Sequence, residues 1–244
     1  MAYIVLSDIH ANLSALRAAL RHARESYSGF SIIILGDIIN YGMRPNEVIA
    51  ELSQIDVPID FILRGNHEQA LRDGDDTRFS TGRGRAVLAC TRRMLTGESR
   101  DFLSREVLPS ARKEFVTAGG KKVLAIHGSL DDPFWGAIDS RSSRDERYAP
   151  YDYVLSGHSH VPHLIEEFHA ADAPELRNRH RTVFLNPGSV GQPRNQNPRA
   201  QYLFWDPDTE TIHFNSAAYD IAEEQSLYTD EVDPFYRDRL LRGI

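Results

Sequence analysis

The chain reads as an α/β protein whose sheet is mostly parallel and layered, with an antiparallel continuation at the end. Three observations predict this. Short apolar, β-branched runs recur along the 244 residues, as strands require. The early runs alternate with stretches of helical spacing, the pattern of strand–helix–strand units. The last runs follow one another with no helix-length segment between them, so they should pair antiparallel.

The strands are expected at Tyr3–Leu6, Ser31–Leu35, Phe61–Leu63, Val123–Ile126, Tyr153–Leu155, Thr182–Leu185, Tyr202–Trp205 and Thr211–Phe214. Between the first two, Leu13, Leu16, Ala19 and Leu20 follow helical spacing, with Asn12 as N-cap. Pro45 suits the first turn of a second helix running to about Leu52. Gln69–Lys113 is too long and polar for a simple crossover, yet Val87, Leu88, Met94 and Leu95 make an amphipathic stripe, so a helical insert is expected there. That insert is basic, with ten Lys and Arg against six Asp and Glu, in a chain of net charge −7. Asp131–Pro150 is a polar loop carrying Phe134, Trp135 and Tyr148. After Asn215 the chain is acidic, then basic from Arg237 to Arg242, and should pack as a helix on the body. This organisation is that of one domain, 1–244, with an insert at about 69–113 and a tail at about 215–244.

Composition bounds the function. An apolar fraction of 41% and a charged fraction of 26% are those of a globular protein. The acidic balance argues against a protein that coats nucleic acid, so no stable nucleic-acid partner is expected. A nucleotide substrate is still allowed, because bound metal can make a site locally positive. The apolar run Ile32–Leu35 is too short to span a bilayer. No signal peptide precedes Asp8, and the single cysteine, Cys90, excludes a disulfide framework and a thiolate cluster. A cytoplasmic protein without a membrane partner is the expectation; homo-oligomerisation stays open.

Five strand ends share one design. Leu6 leads to Asp8 and His10, Leu35 to Gly36-Asp37, and Leu63 to Arg64-Gly65-Asn66-His67-Glu68. Ile126 leads to His127-Gly128, and Leu155 to Gly157-His158-Ser159-His160. The intervals from Asp8 through Asp37, Asn66, His127 and His158 are 29, 29, 61 and 31 residues. A strand–helix–strand repeat takes about 30 residues, so successive strands would present these groups at one sheet edge, where such folds keep their sites. The flanking glycines would let the backbone turn sharply and approach a bound anion. Asp, His and Asn without Cys suit divalent ions such as Mn, Fe or Zn. Two such ions, offset by Asp8 and Asp37, leave a positive charge that matches a phosphate and a hydroxide. Each motif alone is weak; five in order are not independent accidents. Of the other histidines, His22, His169, His180 and His213 read as surface or packing residues, and His163 as a neighbour of the site.

The ordered set D-x-H, G-D, G-N-H-E, H-G and G-H-S-H resembles the calcineurin-like metallophosphoesterase superfamily, over roughly Ala2 to Asn215. The resemblance implies a four-layer αββα sandwich of two mixed β-sheets around a dinuclear centre of two divalent transition ions (Mn, Fe, Zn or Ni). Carried over by position, Asp8, His10 and His160 would hold one ion, Asn66, His127 and His158 the other, with Asp37 bridging. His67 would be the catalytic histidine. Asn40 stands where phosphoprotein phosphatases have the aspartate that orients that histidine, and Tyr41 where they have a phosphate-binding arginine. The likeness is closer to small bacterial and archaeal phosphodiesterase-like members, through Asp8-Ile-His-Ala-Asn, Tyr41-Gly42 with Pro45-Asn46-Glu47, Gly157-His-Ser-His-Val-Pro162 and Asn186-Pro-Gly-Ser-Val-Gly-Gln-Pro-Arg194. Arg194 is then expected on substrate phosphate, the alternative being a structural salt bridge, with Asn12 and Asn40 as further substrate contacts. The implied activity is hydrolysis of a phosphodiester, nucleotide or dinucleoside polyphosphate by metal-activated hydroxide, with His67 assisting the leaving group and a small phosphorylated or nucleotide molecule as substrate. The alternatives are phosphomonoesterase or protein phosphatase activity, and a non-catalytic interaction scaffold. Phe134 and Trp135 would pin their loop or stack a base.

Overall fold

The computed structural model describes all residues except 171–174 and 176–178. Its strands are β1 (Ala2–Leu6), β2 (Phe30–Ile34), β3 (Ile59–Ile62), β4 (Arg112–Val116), β5 (Lys122–Ile126), β6 (Tyr153–Ser156), β7 (His163–Phe168), β8 (Arg181–Asn186), β9 (Ala200–Asp206) and β10 (Thr211–Ala217). Its helices are α1 (Leu13–Ser26), α2 (Pro45–Ser53), α3 (Asn66–Asp73), α4 (Gly82–Met94), α5 (Gly97–Arg105), α6 (Ile221–Ser226) and α7 (Pro234–Asp238). The strands form two five-stranded sheets, ordered β10-β9-β1-β2-β3 and β4-β5-β6-β8-β7. In the first, β1, β2 and β3 are parallel while β9 and β10 run antiparallel, as their short connection requires. In the second, β5, β6 and β8 are parallel, flanked by antiparallel β4 and β7.

The sheets stack face to face. Tyr3, Val5, Ile33 and Leu35 of the first meet Val123, Ala125, Tyr153 and Leu155 of the second in one buried cluster, closed by Trp205. Alternate residues of β1 and β2, namely Ile4, Leu6, Ile32 and Ile34, face the other way onto α1 and α2, as the period of two demands. The outer face of the second sheet is covered more thinly, by residues 127–152 with two single 3₁₀ turns, where Ile138 and Tyr148 pack on Val154 and Phe184.

All eight expected strands are present, and two were missed. Both β4 and β7 are edge strands in which buried and exposed positions alternate, so neither shows a continuous apolar run. The tail is not one helix. The last strand extends to Ala217, and Asp220 and Asp233 then cap two separate short helices, the second opened by Pro234.

Candidate metal centre

The loops after β1, β2, β5 and β6, with the N-terminus of α3, converge at the carboxyl edge where the two sheets meet. The first two loops are zipped together: the N–H groups of Asp8, His10 and Ala11 donate to the carbonyls of Gly36, Asp37 and Ile38. Of ten non-glycine residues with positive φ among the described residues, eight lie here: Asp8, His10, Ala11, Asp37, Asn40, Tyr41, His158 and His160. Such backbones cost about 1–3 kcal/mol each and persist where surrounding structure over-determines them. The flanking glycines let these loops close on one another. A Cβ on Gly65 would lie 2.0 Å from Asp37 Oδ1, and one on Gly157 would lie 2.2 Å from Ser7 Oγ.

One cluster joins Asp8, His10 and His160. His10 Nδ1 donates to the Ile39 carbonyl (3.1 Å) and His160 Nδ1 to the Gln192 carbonyl (2.6 Å). Those bonds put the lone pairs on the two Nε2 atoms, which nevertheless face each other at 3.2 Å. Asp8 Oδ1 lies 3.2 Å from His160 Nε2 and 3.8 Å from His10 Nε2, buried without any donor. Its other oxygen is held by the Ser7 hydroxyl (2.6 Å) and the His158 N–H (3.1 Å). Three acceptors aimed at one point call for a cation. Burial, then the charge of His160, holds His10 well below the usual imidazole range, while burial followed by Arg194 lowers His160. Both stay neutral, as ligands must.

The second cluster joins Asp37, Asn66, His127 and His158. His127 Nδ1 donates to the Leu35 carbonyl at 2.8 Å, so its Nε2 points at Asn66 Oδ1 (3.0 Å) and Asp37 Oδ2 (3.2 Å). His158 Nδ1 reaches the same Asn66 oxygen at 3.0 Å. Asp37 Oδ1 accepts the His67 N–H at 2.9 Å, and Oδ2 is buried without a donor. Burial pushes the Asp37 carboxyl up, but the charges of His127 and His67 outweigh it and hold it well below its ordinary value. For His127, burial opposes the imidazolium, yet the Asp37 carboxylate lifts it to about 9. His158, desolvated and beside His127, falls to about 3. The orphaned carboxylate oxygens and a donor set of imidazole, carboxylate and amide without thiolate fit hard or borderline divalent ions.

His67 stands beside both groups, its Nε2 3.8 Å from Asp37 Oδ2. Burial lowers its pKa to about 4. Its Nδ1 meets the Asn40 side-chain nitrogen at 2.5 Å, and Asn40 Oδ1 accepts from the Thr91 hydroxyl of α4 at 3.0 Å.

A model of the calcineurin-like phosphoesterase superfamily domain matches residues 1–210. The chain belongs to that superfamily. An uncharacterised protein of Methanocaldococcus jannaschii is 27% identical over 244 residues, covering 98% of this chain and 97% of its own. A metallophosphoesterase from Sphaerobacter thermophilus shares 27% identity at a TM-score of 0.78, covering 100% of this chain and 99% of that one. A hypothetical protein from Pyrococcus horikoshii superposes at 0.77 with 22% identity, over 100% and 98% of the two chains.

Two of the expected substrate contacts, Asn12 and Asn40, are buried and hydrogen-bonded within the protein. Asn12 is buried and spent: its Oδ1 caps α1 through Ala15 N–H (3.0 Å), and its amide nitrogen donates to the Gly191 carbonyl (3.1 Å) and Tyr219 hydroxyl (3.2 Å). Asn40 is fully buried between His67 and Thr91. Arg194 adjoins the first cluster through its main chain: its N–H bonds the His160 carbonyl (3.2 Å), and its Nε is buried without a partner among the described residues. Trp135 packs edge-on against Phe79 (5.1 Å) and His158 (6.1 Å), pinning the aromatic loop to the connection between α3 and α4 and to the loop after β6. His22, His169, His180 and His213 take ordinary hydrogen bonds away from the centre.

The residue that sequence reasoning left without a role is Glu68. Its buried carboxylate accepts the N–H groups of Gly65, Asp37, Ile38 and Ile39 at 2.9, 2.9, 2.9 and 3.2 Å. Burial and the Asp37 charge push it up to about 7, against the pull of these donors. It is the clamp that holds the Asp37 loop to the start of α3. A Glu three residues into a helix is the capping-box signal that could have found it.

Proposed function

We propose that the chain hydrolyses phosphodiester or phosphoanhydride bonds of small phosphorylated or nucleotide substrates, using two divalent ions drawn from Mn, Fe, Zn and Ni. The observation that carries this reading is a run of overlapping clusters, Asp8 with His10 and His160, His10 with Asp37 and His67, and Asp37 with His127 and His158, with a donor-free oxygen on each of the two carboxylates. Asp8, His10 and His160 would hold one ion, Asn66, His127 and His158 the second, and Asp37 would touch both. When bound, such ions neutralise phosphoryl oxygens and acidify a water for in-line attack.

The chain's own side chains do the rest. The main-chain carbonyls of Ile39, Leu35 and Gln192 fix three imidazoles with Nε2 inward before any substrate arrives. An Asn40 amide donating to His67 Nδ1 leaves the ring proton on Nε2, on the side of Asp37. There it would hydrogen-bond the leaving oxygen as negative charge develops. Arg194 would hold a phosphate oxygen through its fork. Tyr41 packs its ring on both His10 and His67, at 4.5 Å each, and excludes water from that side. No helix of the described residues is long and apolar enough to cross a membrane, and we place the reaction in the cytoplasm.

The test is elemental analysis of protein prepared without chelator, followed by assays with Mn²⁺ on bis(p-nitrophenyl) phosphate and p-nitrophenyl phosphate. We expect close to two ions per chain and faster hydrolysis of the diester. A protein that takes up no transition metal even on reconstitution would overturn the reading.

A further inference from the structure

The helical insert carries one hydroxyl on its buried face. Along α4, Val87, Leu88, Cys90 and Thr91 are buried at helical spacing, while Arg85, Ala86, Ala89 and Arg93 are exposed. Val87 and Cys90 pack with Tyr41, and Leu88 packs with Phe79. Both of those rings lie against His67, at 4.5 and 5.0 Å. The end of the helix is tied to the start of α2, where Asn46 donates to the Met94 carbonyl (2.9 Å) and accepts the Thr96 N–H (3.0 Å). Thr91 is only 1% exposed. A valine has nearly the same shape, and a buried hydroxyl is costly unless it is bonded. Among the described residues the Thr91 hydroxyl makes one hydrogen bond, donated to Asn40 Oδ1 at 3.0 Å.

That bond decides what Asn40 offers to His67. The Asn40 amide is fully buried, and its nitrogen meets His67 Nδ1 at 2.5 Å. An amide turned over reverses its chemistry. With nitrogen toward the ring it donates, and the single proton of a neutral imidazole sits on Nε2; with oxygen there it accepts, and the proton sits on Nδ1. The reversed amide would also aim its N–H groups at Thr91, and the hydroxyl proton would lose its one acceptor. Thr91 therefore selects the orientation that donates.

Nε2 is the end of the ring that faces the centre, 3.8 Å from Asp37 Oδ2. We propose that Thr91 is a positioning residue: acting through Asn40, it keeps the His67 proton on Nε2, where a leaving oxygen can accept it in a hydrogen bond. The insert then completes the site as well as covering it, through a residue that lies outside every motif. This rests on the phosphoesterase reading above and gives residues 69–113 a part in it.

The experiment uses the full chain, labelled with ¹⁵N-histidine and loaded with Zn²⁺. Long-range proton–nitrogen spectra show which ring nitrogen of His67 carries the proton, its signals being those missing from His67→Gln. The wild type should show the Nε2–H form alone. Thr91→Val should show both forms, with kcat on bis(p-nitrophenyl) phosphate in Mn²⁺ lowered about 10- to 100-fold while KM and metal content hold. Thr91→Ser should restore both the form and the rate. Val87→Ala, which loosens the same helix and keeps the hydroxyl, should lower the melting temperature and leave the Nε2–H form intact. Should Thr91→Val not fold, Thr91→Ala takes its place in each comparison. A folded variant without the hydroxyl that shows the Nε2–H form alone and wild-type kcat overturns the proposal. So does Val87→Ala if it mixes the two forms as fully. Failure of the parent reading is seen separately, as absence of hydrolysis of any ester by a protein whose spectra still report the His67 proton.

Discussion

Glu68→Gln isolates the clamp that holds Asp37. Glu68 Oε2 accepts from Asp37 and Gly65, and Oε1 from Ile38 and Ile39. An amide offers one acceptor oxygen. Whichever way it turns, its NH₂ faces two N–H donors, and two buried donors lose their acceptor. Hydrogen bonds to a charged group contribute about 1.5–3 kcal/mol each, so the loss is about 3–6 kcal/mol, a large part of the ~5–15 kcal/mol that holds a domain together. For a chain of this size each kcal/mol moves Tm by about 2–4 °C, so the lost bonds correspond to a fall of about 6–24 °C. At pH 8, above the pKa of about 7, the wild-type carboxylate is ionised, and the neutral amide's relief from burial and from the Asp37 charge offsets part of the loss. Because the same bonds shape residues 37–39, metal content should fall below two ions in the fraction that still folds. Differential scanning calorimetry and elemental analysis read both effects. A Glu68→Gln protein that melts within 2–3 °C of wild type, a ΔΔG of about 1 kcal/mol, and holds full metal would refute the clamp.

Other perturbations separate the remaining roles. Asp37→Ala should lose both ions and Asp8→Ala only one, read as metal per chain after dialysis; equal losses would mean that Asp37 is not shared. His67→Ala should keep its metal while turnover falls about 10²–10⁴-fold, the range for a positioned acid–base group, and loss of metal would make His67 a ligand instead. Metal uptake at pH 7 should release about one proton per chain: His127, at about 9, is charged in the metal-free protein, while His67 and His158, at about 4 and 3, are already neutral. Apparent affinity should therefore rise with pH up to about 9 and level off above it; calorimetry in two buffers of different ionisation enthalpy counts the protons, and a count near zero contradicts the assignment.

What the sequence disclosed and what it hid follow from how far each interaction reaches along the chain. The clustering of the Asp, His and Asn residues was legible because they follow the ends of continuous apolar strands, and parallel strands put their ends on one edge. Edge strands β4 and β7 were not, since a strand wetted on one face has no apolar run. Asn12 was read twice, as helix cap and as substrate contact, and only the first could hold: its oxygen is taken by Ala15 and its nitrogen by Gly191 and Tyr219, the latter two about 200 residues away in the chain. Asn40 was placed by analogy, and its partner Thr91 lies 51 residues on, in a helix whose register the sequence does not relate to the centre. The glycines were legible as sharp turns, but that Gly65 and Gly157 make room for Asp37 and Ser7 depends on contacts far apart in the chain. Arg239 was the least legible of all. In sequence it is one basic residue of Arg237-Asp238-Arg239-Leu240-Leu241-Arg242, a pattern of any solvated helix. Its surroundings come from burial beside Phe235 and Tyr236, rings that stack through Tyr41 onto His10 and His67, and that packing joins parts of the chain about 200 residues apart.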